Sequence, residues 1–422
     1  MSTVTDPQKG QFRLSMLLYD TRFRSATIQV IAMFAFMLLA AWLISNTAQN
    51  LAALGKPIDF SFFTEASGYD INQRLLDYDS QDTHLRAAFI GLLNTLVIAV
   101  LGCATATLVG VLVGVLRLSN NWLIGRIMTI YVEFFRNVPV LLWIVFTMAI
   151  LIETLPAPNA FRGDDPAAHM IFDDSVALTN RGFYIPEPLF AASFGEFHMF
   201  ANTRLRFDVS IDLLAILAAL GLGLWAAHLV KRRADRIQEA TGDRPTTWYL
   251  RLGLVVVPVI AVLMVTRFHL GYPELKGFNF QGGIYLRNSF IALWLALSLY
   301  TAAFIAEIVR AGILAISHGQ TEAAAALGLR PNRIMSLVIL PQALRVIVPP
   351  LISQYLNLTK NSSLAIAVGY MDITGTLGGI TLNQTGRELE CILLLMLIYL
   401  TISLSISAVM NWYNESVKLR ER

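Results

Sequence analysis

The chain has 422 residues, 55% of them hydrophobic and 14% charged, with a mean hydropathy of +0.58, against about 25% charged in an average soluble domain. A formal net charge of +3 is too small to point to a nucleic-acid partner, and the composition is that of a polytopic membrane protein. Its two cysteines, Cys103 and Cys391, fall in or beside apolar runs and suggest neither a disulfide framework nor a metal cluster.

At the N-terminus, Lys9, Arg13, Arg22 and Arg24 precede an apolar run that has no clear small-residue cleavage site. It reads as an uncleaved first span rather than a signal peptide. Runs long enough for a span of about 20 residues occur near 26–44, 88–115, 127–152, 211–230, 250–265, 291–316, 344–368 and 392–410. These predict an all-α protein of about eight transmembrane helices, the fifth marginal because it is short and carries Arg251 and Pro258. Lys231, Arg232, Arg233, Arg236, Arg244 and Arg251 crowd one short connection, and Arg117, Arg126, Arg330, Arg333, Lys418, Arg420 and Arg422 fall on the same side of it in the alternation. Basic residues favour the cytoplasmic side. Both termini and the connection after the sixth span are therefore expected in the cytoplasm.

The long outside loops at 46–86 and 154–210 differ from a disordered linker, because the second contains Phe183, Tyr184, Phe190, Phe194 and Phe197 among Asp164, Asp165, Asp173 and Asp174. It is expected to fold as a small cap, either receiving a soluble partner or packing on its own spans. In the second span Gly110 and Gly114 give a small-xxx-small spacing suited to close helix packing in lipid. Glu133 and Arg136, and again Glu307 and Arg310, stand three apart and can pair on a helix face.

After the sixth span comes Thr321-Glu322-Ala323-Ala324-Ala325-Ala326-Leu327-Gly328, then Leu329-Arg330-Pro331-Asn332-Arg333. Alanine and glutamate favour helix, Thr321 can cap it, Gly328 can close it, and Pro331 can open a second helix. The expected product is a pair of short helices with little side-chain bulk, suited to another protein's groove. A DNA-binding helix-turn-helix or an ordinary packed helix pair has the same local pattern. The seventh span contains Pro349-Pro350, where a kink or break is expected. Beyond it lies a polar run with Asn357, Lys360, Asn361, Ser362 and Ser363. Polar groups at that depth usually line a pathway or a packed interface. The alternative for Lys360 is to snorkel outward or to pair with Glu388.

Glu322-Ala323-Ala324, Gly328 and Val338-x-Leu340-Pro341 resemble the cytoplasmic coupling loop of permease subunits of bacterial ABC importers. Ile308-Val309-Arg310-Ala311-Gly312, Leu340-Pro341-Gln342-Ala343-Leu344-Arg345 and Leu358-Thr359-Lys360-Asn361-Ser362-Ser363-Leu364 resemble its polar amino acid branch. Val338 replaces the usual isoleucine, and Asn361 and Ser362 depart from the usual Asp-Thr. The resemblance implies a five-helix type I importer core, divided between 87–153 and 290–412 and interrupted by an insertion at 154–289. An N-terminal segment at 1–86 precedes it and a cytoplasmic tail at 413–422 follows. It implies coupling through Glu322, Ala323, Ala324, Gly328, Arg330, Pro331 and Arg333 in the loop 317–341. It also implies two ATP-binding subunits that hold ATP and magnesium, a second and related permease, a periplasmic amino acid binding protein, and a bacterial inner membrane. The sequence has no Gly-x-x-x-x-Gly-Lys-Ser/Thr loop, no histidine pattern for a metal and no Gly-x-Ser-x-Gly elbow, so no catalytic residue is expected in this chain. An ion-coupled secondary transporter is the alternative, and a membrane-embedded enzyme or sensor is a more distant one.

Overall fold

The computed structural model describes residues 21–163, 165–200, 203 and 207–417. Lys9, Arg13, Asp164, Lys418, Arg420 and Arg422, and the side chain of Arg22, lie outside the described residues, so the expectations for the tails are carried by sequence alone. The described chain forms two compact units, Met1–Ser61 and Phe62–Arg422. In the first, α1 (Thr21–Ala53) is a 33-residue apolar helix, with its large side chains outside: Phe36, Leu38 and Ile44 are all exposed. At about 1.5 Å per residue it has length to spare for a bilayer.

The second unit is built on α2 (His84–Leu116) and α7 (Asn288–Leu314). α7 is the central helix, packed against α2, α3, α4 and α10, and Leu293, Leu297, Ala302 and Ile305 on it are fully buried. The glycine spacing in α2 lets the two backbones meet. A β-carbon at Gly110 would lie 2.7 Å from Ile305, and one at Gly114 would lie 2.8 Å from the Ala306 carbonyl oxygen. Both distances are shorter than side chains tolerate, so the seam requires glycine.

The run expected as a single third span is two helices, α3 (Trp122–Arg136) and α4 (Val140–Thr154), bent by 105°. Pro139 lacks an N–H and disfavours helical backbone at Val138, so the chain turns there. The stack of Phe135 on Trp143, 4.3 Å between ring centroids, fills the inside of the bend. α5 (Ile211–Thr241) and α6 (Trp248–Val265) form an antiparallel hairpin. Its seam is again a glycine, since a β-carbon at Gly223 would lie 2.5 Å from the Leu254 carbonyl oxygen. Seven described helices are long and apolar enough to cross a membrane, or eight with the bent pair as one, in line with the expected helical membrane fold.

The connections at 154–210 and 266–287 fold together as a cap of short antiparallel strands, a β contribution that composition did not announce. β1 (Ala177–Thr179), β2 (Gly182–Ile185) and β3 (Ile284–Arg287) make one sheet. Pairing of Gly182 with Arg287 brings its two halves together. Its core is Ala177, Tyr184 and Phe280, ringed by Phe161, Met170, Leu275 and Tyr285. Of the aromatics that pointed to a folded cap, Tyr184 lies in this core, whereas Phe194 and Phe197 are exposed.

Candidate functional site

The connection after α7 carries α8 (His318–Ala326), α9 (Pro331–Ile334), a π-helical turn at Met335–Ile339, and then α10 (Leu340–Asn361). α8 begins a turn earlier than expected, after Ser317, so Thr321 lies inside the helix and does not cap it. Gly328 closes α8 with φ +78°. The Gly328 N–H donates to the Ala325 carbonyl at 2.9 Å, and the Leu329 N–H to the Ala324 carbonyl at 3.3 Å. This is the Schellman pattern, with the accompanying apolar contact of Leu329 on Ala324. Pro331 opens α9, where the Arg333 and Ile334 N–H groups donate to the Arg330 carbonyl at 2.8 and 3.0 Å.

Ala324, Ile334 and Ile339 are buried and packed with Ile313, Ile316, Leu329 and Val338. That cluster fixes the two short helices to the ends of α7 and α10. Ala324 therefore faces inward, whereas Glu322, Ala323, Gly328, Arg330, Pro331 and Arg333 are exposed, and Leu327 beside them is 83% exposed. Glu322 accepts from His318 Nδ1 at 3.0 Å, an exposed pair one turn apart that contributes little to stability. The outcome is a rigid knob with an acidic start, an apolar tip and a basic end.

Next to the knob, Glu307 accepts from Arg310 Nη2 at 2.8 Å and from Arg117 Nη1 with its other oxygen. Arg117 also donates through Nε to Thr129 Oγ1 at 3.1 Å and stands 4.0 Å from Glu133. The Glu307–Arg310 pair expected from spacing is formed, and Arg117 extends it to tie α2, α3 and α7. Glu133 and Arg136 do not pair. Glu133 turns to Arg117 and Arg136 lies over the Phe304 ring, 5.3 Å from its centroid. Arg117 had registered in the sequence only as a topology charge, because its partner is 190 positions away.

α10 runs through Pro349 and Pro350 as one helix, so of the kink or break expected there the break does not occur. Its other face is held by buried Ala343, Ile347, Val348 and Ile352, so packing outweighs the two lost backbone donors. Val346, Pro349, Pro350, Ser353, Asn357 and Lys360 are exposed at helical spacing and form one stripe, apolar at the knob end and polar at the other. The Lys360 ammonium has no hydrogen-bond or ion-pair partner among the described residues, and Arg387, not Lys360, pairs with an acid of α11 (Glu388–Val417), reaching Glu390 at 3.5 Å. Asn361 is half-buried. Ser362 is buried, and its hydroxyl donates to the Thr359 carbonyl at 2.8 Å, while that of Ser363 donates to the Lys360 carbonyl at 2.8 Å. Both serines thus cap the end of α10.

Beyond Gly369, the segment 370–386 folds back onto α2. Asn94 donates to the Met371 carbonyl at 2.8 Å, Tyr370 to the Asn94 carbonyl at 3.2 Å, and the Ile373 N–H to Thr95 Oγ1 at 3.0 Å. Asp372 is fully buried and accepts from the Gly375 N–H at 2.8 Å and from Tyr399 Oη at 3.2 Å. Burial pushes its carboxyl up to about 6. Asp372 escaped the sequence reading, although an acid beside Tyr370 between two apolar spans was a visible signal.

Residues 106–419 match the family of binding-protein-dependent transport system inner membrane components. The glutamate/glutamine/aspartate/asparagine transport system permease protein BztB of Rhodobacter capsulatus is 59% identical over 430 residues, with 100% of each chain covered. The general L-amino acid transport system permease protein AapQ of Rhizobium johnstonii is 40% identical, covering 99% of this chain and 98% of its own. The putative amino-acid ABC transporter permease protein YhdX of Escherichia coli is 42% identical, covering 97% and 98%. A crystal structure of an amino acid ABC transporter with histidines covers 79% of this chain and 95% of its own with a TM-score of 0.43 at 17% identity. With a family profile matched over most of its length and relatives similar from end to end, the chain belongs to the inner membrane components of binding-protein-dependent transport systems.

Proposed function

We propose that this chain is the permease subunit of an ATP-driven importer of amino acids. It works with ATP-binding subunits and a binding protein, as its family implies, and sits in the inner membrane as a multi-pass protein. In the fuller reading two ATP-binding subunits hold ATP and magnesium, a second and related permease completes the pathway, and both termini are cytoplasmic.

The observation that carries this reading is the knob at 318–334. It is exposed where a partner can grip it, anchored through Ala324 to two membrane helices, and continuous with α10. Closure of the ATP-binding subunits pulls on Glu322, Ala323, Gly328, Arg330, Pro331 and Arg333, and α10, continuous with the knob, moves with it. A polar stripe on a membrane helix is costly against lipid. Asn357 and Lys360 are therefore assigned to the pathway wall, with Lys360 facing the carboxylate common to all amino acids. Asn361, Ser362 and Ser363 are assigned to holding that end of the helix in place.

The test is amino acid uptake by proteoliposomes containing the intact complex, with and without ATP, for the wild type and Lys360→Met. ATP-dependent uptake in the wild type, lost in Lys360→Met while the ATP-binding subunits still co-purify, is the expected result. Uptake without ATP refutes the importer reading. Normal uptake by Lys360→Met removes Lys360 from the pathway.

A further inference from the structure

A cavity of about 590 Å³ opens where the cap meets the ends of the membrane helices, within the range of about 300–1,000 Å³ usual for small-molecule sites. Arg181 and Asn180 come from the β1–β2 turn, Arg287 ends β3, and Asn288 and Ser289 begin α7. Val368 and Gly369, which follow the α10 stripe, form another wall. None of the described residues lining it is acidic. The guanidinium groups of Arg181 and Arg287 have no ion pair or hydrogen bond among the described residues, and Arg287 Nε is buried without a partner. The N-terminus of the 27-residue α7 adds its partial positive charge at the same place.

Acceptors are unused there as well. Asn288 is 2% exposed, and its amide nitrogen donates to the Asn180 carbonyl at 2.7 Å and the Thr179 carbonyl at 3.4 Å. That fixes the orientation of the amide and leaves Oδ1 of Asn288, like Oδ1 of Asn180, buried without a partner. Buried polar groups of this kind are uncommon, and each requires an explanation. A second cavity in the unit, about 440 Å³ and lined by Asp77, Glu196 and Asp208, is different. Its cations are paired, Arg86 with Asp82 at 3.2 Å and His198 with Asp208 at 2.5 Å.

We propose that the arginine-lined cavity is an outer subsite for an amino acid with an acidic side chain, Arg181 and Arg287 taking its two carboxylates and the Asn180 and Asn288 amide oxygens its ammonium. This rests on the importer reading. Arginine forks match carboxylates in two-point contact, and a site that has to leave two guanidinium groups unpaired when empty discriminates against a ligand with one carboxylate fewer. The subsite thus selects after release from the binding protein and before entry along α10.

Glutamate and glutamine differ by a carboxylate against an amide, so their relative rates isolate this effect. Uptake of each is measured in proteoliposomes with the intact complex at saturating loaded binding protein, for wild type, Arg287→Gln and Arg181→Gln. The glutamate-to-glutamine rate ratio is expected to fall about tenfold or more in Arg287→Gln, as loss of a charged hydrogen-bonding partner implies, and in the same direction in Arg181→Gln. If Arg287→Gln does not assemble, Arg181→Gln, an exposed side chain at a turn, decides the matter. An unchanged ratio overturns the proposal. So does an equal fall in both rates with a higher half-saturation for the loaded binding protein, which would give the arginines to a carboxylate of the binding protein. ATP-driven uptake of other amino acids without glutamate overturns the subsite and leaves the importer reading standing. Loss of all ATP-driven uptake in the wild type sinks that reading.

Discussion

Substituting Gly328 isolates the conformation of the knob from its contacts. A β-carbon built there meets nothing within 4 Å, and the residue is exposed, so a side chain meets no steric conflict with neighbours. What remains is the backbone, held at φ +78°, which costs an ordinary L-residue about 1–2 kcal/mol and Asn less. Alanine thus lowers the ratio of formed to unformed knob about 5- to 30-fold, asparagine by less, and β-branched valine by more. Uptake through the intact complex should therefore rank Gly328 above Gly328→Asn, then Gly328→Ala, then Gly328→Val, with equal amounts of each protein in the membrane. ATP hydrolysis stimulated by the loaded binding protein should follow the same order. Asn and Val variants of equal activity, or a fully active Gly328→Val, would refute the argument that the left-handed turn sets the shape the ATP-binding subunits grip.

Gly110→Leu, which drives a side chain into Ile305, should destabilise the protein by about 1–3 kcal/mol or more, seen as a lower thermal unfolding temperature in detergent. Gly221→Leu, where a β-carbon meets nothing within 4 Å, should leave it unchanged. Glu307→Gln leaves Arg117 and Arg310 without their shared carboxylate and should cost about 1–3 kcal/mol, read in the same assay, whereas Glu133→Gln should cost much less. The exposed His198–Asp208 pair raises the His198 pKa. Its stabilisation of the strand pair Glu196–Met199 and Phe207–Ser210 is full below the unfolded histidine value of about 6.5 and is lost as pH rises through the higher folded value. Limited proteolysis of that hairpin should therefore be faster at pH 8 than at pH 6, a difference that Asp208→Asn removes. Single cysteines at Gly242 and at Phe197, probed with an impermeant thiol reagent in spheroplasts, should label only at Phe197, and the reverse pattern would invert the proposed topology.

The parts of this architecture legible in the sequence are those set by neighbours in the chain. Gly328 and Pro331 announce the knob because helix ends are decided within a turn, and the α2 glycines announce a close seam because lipid-embedded helices need small residues to approach. Local reasoning misjudged prolines in both directions. Pro139 breaks its helix pair, whereas Pro349 and Pro350 sit on a helix whose opposite face is packed firmly enough to carry two missing donors. Pairings across the chain were invisible. Arg117 meets Glu307, Gly182 pairs with Arg287, and Asn94 holds Met371, each through a fold that no periodicity encodes.

The knob and the Lys360 stripe share one uninterrupted run of helix from Pro331 to Asn361, roughly 45 Å at 1.5 Å per residue. In the importer we propose, that makes it a lever, with the knob as the short arm offered to the ATP-binding subunits and the polar end of α10 as the long arm. Partway along, Pro349 and Pro350 remove the hydrogen bonds that would stiffen it. The lever is weakest in bending next to its exposed face and keeps its stiffness toward α7. On that reading, a pull on the short arm swings the polar end sideways in one plane, opening a gap along the stripe with no joint having to unfold.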